Sequence, residues 1–185
     1  MHDPEITANL EACHTAGFGW ALACCGRDVA EAEEVLQTVY VKILDKKARF
    51  RGESTFRTWL FSLIRRTAAD RRRRRIVREV FTGRFAERPA IAATIEDPDD
   101  ELVRSEARRV FLRSLARLAR RQREVLELVF YHELSVEEAA AVMRVTTGTA
   151  RQHYERGKRR LREVLEGSEV EYVAEWRRRE DPRGV

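Results

Sequence analysis

Five arginines and one phenylalanine share the outward side of a predicted helix within residues 54–75, and their chemistry suits a nucleic-acid strand. At about 100° per residue, Arg57, Arg65, Arg66, Arg72 and Arg73 fall on one side, with Phe61 among them. Guanidinium groups hold phosphates, and an exposed ring stacks on an unpaired base. Arg71 to Arg75 form an unbroken run of like charge that is self-repelling without an anionic partner. The competing reading is a surface helix ending in a solvated charge run, with Phe61 covered by another part of the fold. A second group lies near the C-terminus, where Arg151, Gln152, Glu155, Arg156 and Arg159 fall on one side of another helix. Arginine can bond guanine twice, glutamine can do so with adenine, and glutamate can accept from cytosine.

Both groups need rigid helices behind them. In the first, Phe56, Trp59, Leu60, Leu63, Ile64 and Ala68 recur at steps of three and four, which predicts one buried face. Ser54 stands where an N-cap is expected. In the second, Ser135 and Glu138 have capping-box spacing and open a short helix ending near Met143. Arg144 to Thr146 make a tight turn, and a new helix runs from about Thr147 to about Leu165. Two helices joined by so short a turn predict a helix-turn-helix. Ala150, Tyr154, Gly157 and Leu161 share the inward face, while His153 on the flank is solvated or near phosphate. An ordinary antiparallel helix pair with a charged outer face has the same spacing.

The rest of the chain is also helical in pattern. Residues 5–25 predict one helix that buries Ile6, Leu10, Cys13, Phe18, Ala21 and Leu22 and stops at Gly26. Asp28 and Glu31 form a second capping-box pattern, before a helix that buries Ala32, Val35, Leu36, Val39, Tyr40, Ile43 and Leu44. Leu102, Val103, Val110, Phe111, Leu115 and Leu118, then Val125, Leu126, Leu128, Val129 and Phe130, predict two more. The expected fold class is all-α, with two small helical domains at 1–79 and 99–167, a linker at 80–98 and a tail at 168–185.

Composition narrows the function. Of 185 residues 43% are hydrophobic, enough for real cores, and 36% are charged, well above the usual quarter. From Lys46 to Arg88 there are 15 Lys and Arg against 4 Asp and Glu, whereas from Ala92 to Glu106 the balance is 1 against 6. Nucleic acid is the natural partner of the basic block. The acidic block is expected to be solvated, the alternative being competition with DNA for the arginines. No run is apolar and long enough for a membrane span, and no signal peptide is expected. Cys13, Cys24 and Cys25 do not form a disulfide framework, and small apolar packing is their expected role, the alternative being a metal site or redox switch at Cys13 and Cys24 with His14 nearby. A cytoplasmic chain is expected, with no cofactor, no metal and no catalytic residue. The four histidines have neither triad nor zinc spacing, and there is no glycine-rich phosphate loop.

Two stretches together resemble a known family. Val35-Leu-Gln-Thr-Val-Tyr-Val-Lys-Ile-Leu44 and Phe50-Arg-Gly-Glu-Ser-Thr-Phe-Arg-Thr-Trp-Leu60 are similar to the second region of bacterial sigma factors of the extracytoplasmic-function group. Gln122-Arg-Glu-Val-Leu126, Leu134-Ser-Val-Glu-Glu-Ala-Ala140 and Thr147-Gly-Thr-Ala-Arg151 resemble the fourth region. The resemblance implies a factor that carries core RNA polymerase to promoter DNA, with an anti-sigma factor as a further partner. It implies polymerase contacts at Glu34, Gln37, Thr38 and Val41. It assigns strand opening at the minus-ten element to Arg51, Arg57, Phe61, Arg65, Arg66, Arg72 and Arg73. It assigns reading of the minus-thirty-five duplex to Thr147, Thr149, Arg151, Gln152, Glu155 and Arg156. The chain departs from the family at Arg66, where asparagine is frequent, at Thr38, where an acid is usual, and at Leu118-Ala-Arg-Arg121, where a proline usually stands. Two rival readings remain: a stand-alone helix-turn-helix regulator that binds operators, and a non-specific single-strand binder.

Overall fold

The computed structural model describes residues 3–82 and 111–166, and among these the regular elements are all helical. The N-terminal bundle comprises α1 (Asp3–Ala12), α2 (His14–Cys24), α3 (Val29–Leu44) and α4 (Phe56–Thr82). The C-terminal bundle comprises helical residues 111–116 (α5), α6 (Arg120–Leu126), α7 (Val136–Met143) and α8 (Thr147–Glu166). The expected linker beyond Thr82, the segment with Leu102, Val103 and Val110, and the tail from 168 lie outside the described residues.

Local chemistry sets the helix boundaries, with some shifts from expectation. The single helix expected over 5–25 is two, because the backbone at Cys13 leaves helical geometry (φ −97°, ψ 2°). Its i→i−4 bonds persist, Cys13 N to Asn9 O at 3.1 Å and Gly17 N to Cys13 O at 2.8 Å, so this is a bend. Gly26 (φ 69°) and Arg27 (φ 70°) both adopt left-handed backbone between α2 and α3. Asp28 caps α3 by accepting from Glu31 N at 3.0 Å. The Glu31 carboxylate does not complete the box, because it takes Arg75 Nη1 at 2.6 Å. The cap of α4 is Thr55 rather than Ser54: Thr58 N donates to Thr55 Oγ1 at 3.1 Å, whereas Ser54 Oγ donates to the Thr55 carbonyl. Ser135 and Glu138 do form the full reciprocal box, at 3.1 and 2.9 Å.

The periodic residues go where their spacing directs them. Ala32, Val35, Leu36, Val39 and Ile43 of α3 and Leu60, Ile64 and Ala68 of α4 are buried together. In the C-terminal bundle Ala150 and Leu161 are fully buried, and Gly157 lets α8 approach α6 closely. A Cβ at Gly157 would stand 3.1 Å from Leu126 Cδ1 and 3.3 Å from Gln122 Cβ. α6 passes directly into a π-helical turn at Glu127–Tyr131, which the periodicity did not signal.

The two bundles are not separate bodies here, since buried residues of both join one continuous core. Its centre is Trp20, fully buried and absent from the predicted core of α2. The Trp20 ring stacks on Phe61 at 6.0 Å and meets His132 edge-on at 5.8 Å, while its indole N–H donates to the Phe61 carbonyl at 3.0 Å. Here α2, α4 and the end of the π-helical turn come together. α4 also packs along α7, where Thr58 and Glu138 stand 3.5 Å apart.

Candidate nucleic-acid interface

α4 is 27 residues long, a rod of about 40 Å at 1.5 Å per residue. Its basic side divides into three zones. At the N-terminal end, Arg51 is exposed on the loop before the helix. With Arg49, Phe50, Ser54 and Trp59 it lines an open groove of ≈ 420 Å³, closed on the far side by Ala141 and Arg144 of the C-terminal bundle. Phe50, Phe56 and Trp59 form one aromatic cluster with ring centroids 5.3 to 5.5 Å apart.

The middle zone departs from the expectation. Phe61 does not face solvent among the arginines but is fully buried, between Trp20 and the His132 ring at 4.9 Å. The periodicity placed it off the main apolar stripe, and it is; that side of α4 is covered by the C-terminal bundle. The competing reading, with Phe61 under another part of the fold, is the one realised here. Arg57 lies half-buried with its guanidinium 5.4 Å from the Phe61 ring centre, and its buried Nε has no hydrogen-bond partner among the described residues. Arg65 is also withdrawn from solvent, donating through Nε and Nη2 to Glu124 Oε2 at 3.2 and 3.1 Å. Arg66, one position on, is exposed.

In the third zone the unbroken run is partly neutralised from within. Arg71 pairs with Glu34 and Arg75 with Glu31, both acids of α3. Arg73 and Arg74 are exposed and Arg72 half-exposed, with only a 3.9 Å contact from Arg73 to Asp70. Sequence reasoning treated the run as wanting an external anion; two of its charges have internal ones. The signal was the acidic stretch of α3, whose pairing depends on how the helices pack.

α8 presents the other candidate surface. Arg151, Gln152, Glu155 and Arg156 are exposed, opposite buried Ala150, Gly157 and Leu161. Thr147 and Thr149 are half-buried in the first turn, where Thr146 Oγ1 accepts from Thr149 N at 3.2 Å. Arg144 closes α7 with left-handed backbone, φ 54°. Arg151 Nη2 donates to Glu137 Oε1 at 2.9 Å, and Lys158 reaches Glu155 at 3.2 Å. Hydrogen bonds, foremost its own backbone and then Arg151, hold the Glu137 carboxyl below its usual range. Tyr154 stacks on Phe130 at 5.9 Å and belongs to the packing rather than to the outer face.

The outer face of α3 carries Glu34, Gln37 and Val41 exposed and Thr38 half-buried, its hydroxyl donating to the Glu34 carbonyl at 2.7 Å. Val41 is 54% exposed and Leu44, expected in the core, is 57% exposed, so this face has an apolar end.

Two helical bundles in this order, one with an arginine-bearing rod and one with a helix-turn-helix, match two models of one family. Residues 11–76 match Sigma-70 region 2, and residues 114–163 match Sigma-70, region 4. The chain belongs to the extracytoplasmic-function group of sigma factors. It is 29% identical over 145 residues to the ECF RNA polymerase sigma factor SigX of Bacillus subtilis (strain 168), covering 76% of this chain and 73% of that protein. It is 28% identical over 163 residues to the RNA polymerase sigma factor CarQ of Myxococcus xanthus, covering 88% and 91%. Among solved structures it is similar to the sigma factor RpoE from Bartonella quintana, determined in complex with the anti-sigma factor NepR. That match has a TM-score of 0.69 at 26% identity and covers 89% of this chain and 98% of the other. As a sigma factor the chain binds core RNA polymerase and directs promoter-specific transcription initiation.

Sequence reasoning missed three residues that organise the region between the bundles: Trp20, Glu124 and His132. Glu124 gathers Arg65, Arg120 and Arg121 within 3.3 Å, and Glu127 takes Arg27 Nη2 at 2.8 Å. The α6 pattern placed both acids among many alternating charges and gave no sign that they face the other bundle. Among the described residues no group of His, Cys, Asp and Glu is arranged to hold a metal, and no helix is long and apolar enough to cross a membrane.

Proposed function

We propose that the two bundles are functional domains dividing promoter recognition, the first (1–79) acting on separated strands and the second (99–167) on intact duplex. Exposed Arg51, Arg66 and Arg73 and half-exposed Arg72 hold phosphates of the opened minus-ten strand, joined by Arg57, Phe61 and Arg65 once these are uncovered. The α8 residues Arg151, Gln152, Glu155 and Arg156 read base edges in the major groove of the minus-thirty-five element, with Thr147 and Thr149 on the flanking phosphate. Glu34, Gln37, Thr38 and Val41 form the polymerase contact. No step of this work requires catalysis by the chain; polymerase makes the phosphodiester bonds, and the factor works in the cytoplasm. An anti-sigma factor, as in the RpoE complex, is a proposed further partner.

One observation supports the division: the chain presents two basic surfaces of different build, a rod flanked by aromatics and a helix-turn-helix with a polar reading face. The test is run-off transcription with core polymerase and promoters altered one base pair at a time. Arg151→Ala or Gln152→Ala shifts preference at one or two upstream base pairs, by about 1–3 kcal/mol each. Arg66→Gln with Arg73→Gln weakens opening on all promoters alike. The same sequence-independent loss from both sets would refute the division. A stand-alone regulator would bind operator without polymerase and fail to restore initiation.

A further inference from the structure

The contact between the bundles conceals two of the groups assigned to the opened strand. Phe61 is fully buried against Trp20 and His132, and Arg65 is tied to Glu124 with both side chains 13% exposed. The contact is built as a fitted joint. Arg27 holds a left-handed backbone, uncommon for a residue with a Cβ, and from it reaches Glu127, whose side chain is 6% exposed. Glu138 of α7 lies against Thr58 of α4. At the centre sits one titratable ring. His132 is 2% exposed, 4.9 Å from Phe61, 5.8 Å from Trp20 and 5.0 Å from Tyr131, and a Cβ on Gly19 of α2 would stand 3.6 Å from it.

We propose that this joint is a self-inhibiting latch keyed by His132, in which the second domain occupies the strand-holding surface of the first and protonation of the imidazole releases it. The inference rests on the strand-holding role proposed above for Phe61 and Arg65.

The charges around the ring argue for the direction. α4 faces it with Arg57, the turn after α2 with Arg27, and its own element with Glu127, already engaged by Arg27, and with Tyr131. α2 contributes Trp20 and Gly19, which carry no charge, and α7 contributes Glu138, held by Ser135 and Thr58. Burial first, then the positive charges of Arg57 and Arg27, pushes the His132 pKa down to about 3 in the closed form. Once the bundles separate the ring is solvated and returns to about 6.5. Between these values the open form binds the extra proton, so closure is undiminished above about pH 6.5 and weakens as pH falls below it. From pH 7.5 to 5.5 the closed-to-open ratio falls about tenfold. Burial raises the pKa of Glu127, with Arg27 opposing, and that shift favours closure as pH falls; a His132 variant keeps Glu127 and so separates the two effects.

Because apparent affinity scales with the open fraction, binding reports the latch even when opening is rare. The probe is a fluorescein-labelled single-stranded minus-ten oligonucleotide, titrated with the full chain at pH 7.5 and 5.5. Wild type binds about tenfold more tightly at pH 5.5. His132→Phe, which keeps an aromatic ring and removes the proton site, shows no such gain; His132→Gln serves if the first variant does not fold. Glu124→Lys, which sets a cation against Arg65, gives an extended chain by small-angle scattering and tight binding at both pH values. An unchanged affinity in wild type, or an equal gain in His132→Phe, overturns the latch. A Glu124→Lys chain that is extended yet binds no oligonucleotide instead overturns the strand-holding role.

Discussion

Replacing Arg72, Arg73 and Arg74 with glutamine tests how many charges of the run are available to DNA. Arg71 and Arg75 are engaged by Glu34 and Glu31, the latter pair at 2.6 Å with the acid 14% exposed. The three between them are free of these acids and are the ones expected to displace counterions. Each phosphate neutralised on a single strand contributes about 0.7 to the slope of log affinity against log salt, so the triple variant loses about 2. If all five arginines engaged DNA, the full replacement would lose about 3.5. A slope change of 2 means that, between about 50 and 200 mM salt, wild type loses about sixteenfold more affinity than the variant. The assay is fluorescence anisotropy of the assembled holoenzyme on a fork-junction promoter across that salt range. Arg71→Gln with Arg75→Gln leaves the slope within about 0.5 of wild type. Losing Arg71 costs little because its pair with Glu34 is largely exposed, whereas losing Arg75 leaves the mostly buried Glu31 carboxylate unpaired and loosens the α3–α4 contact. A slope change in that double variant as large as in the triple variant would refute the reasoning.

Three further outcomes follow from the packing. Trp20→Ala removes a fully buried ring and its hydrogen bond to the Phe61 carbonyl and costs about 3–5 kcal/mol, read as a lower midpoint in urea unfolding. Ser135→Ala breaks the capping box of α7 and costs about 0.5–2 kcal/mol, with thermal melting lowered by several degrees. Burial, reinforced by Glu31 and Asp28, pushes the Cys25 pKa up to about 12, and Cys24 is raised well above the ordinary thiol range. At pH 8 the Cys25 thiolate fraction is then about one in ten thousand, against about one in four for a free thiol. Iodoacetamide should therefore leave both unmodified in the native protein and label both in urea; labelling of the native protein at the free-thiol rate would contradict this.

What could be read in the sequence was what repeats along one helix. The apolar stripes of α3 and α4, the Ser135 box and the turn before α8 depend on residues within a few positions of one another, so spacing alone carries them. The same local logic put the α4 cap one residue early and took α1 and α2 as one helix. What could not be read was contact between distant segments. Phe61 was placed correctly off the main apolar stripe, yet its surroundings are decided by Trp20 and His132, residues 41 positions before it and 71 after it. Arg65 and Arg71 look alike in sequence and differ in fate, because one meets Glu124 across the joint and the other Glu34 on the neighbouring helix. Of the candidate site, the exposed face of α8, proposed to read duplex, was legible as a surface because it is simply the side left over by Ala150, Gly157 and Leu161. The basic side of α4, proposed to hold the opened strand, was only partly legible, since the second bundle lies on it.

The central claim is that one chain gives polymerase two promoter contacts, a duplex one upstream and an open one downstream. Sequencing the 5′ ends of transcripts made by purified core polymerase with this chain on fragmented genomic DNA tests it most directly. Starts are expected a fixed distance downstream of two short shared elements, with Arg151→Ala altering only the upstream one. Starts no more frequent than with core alone, or starts sharing a single element unaffected by any α8 variant, would contradict it.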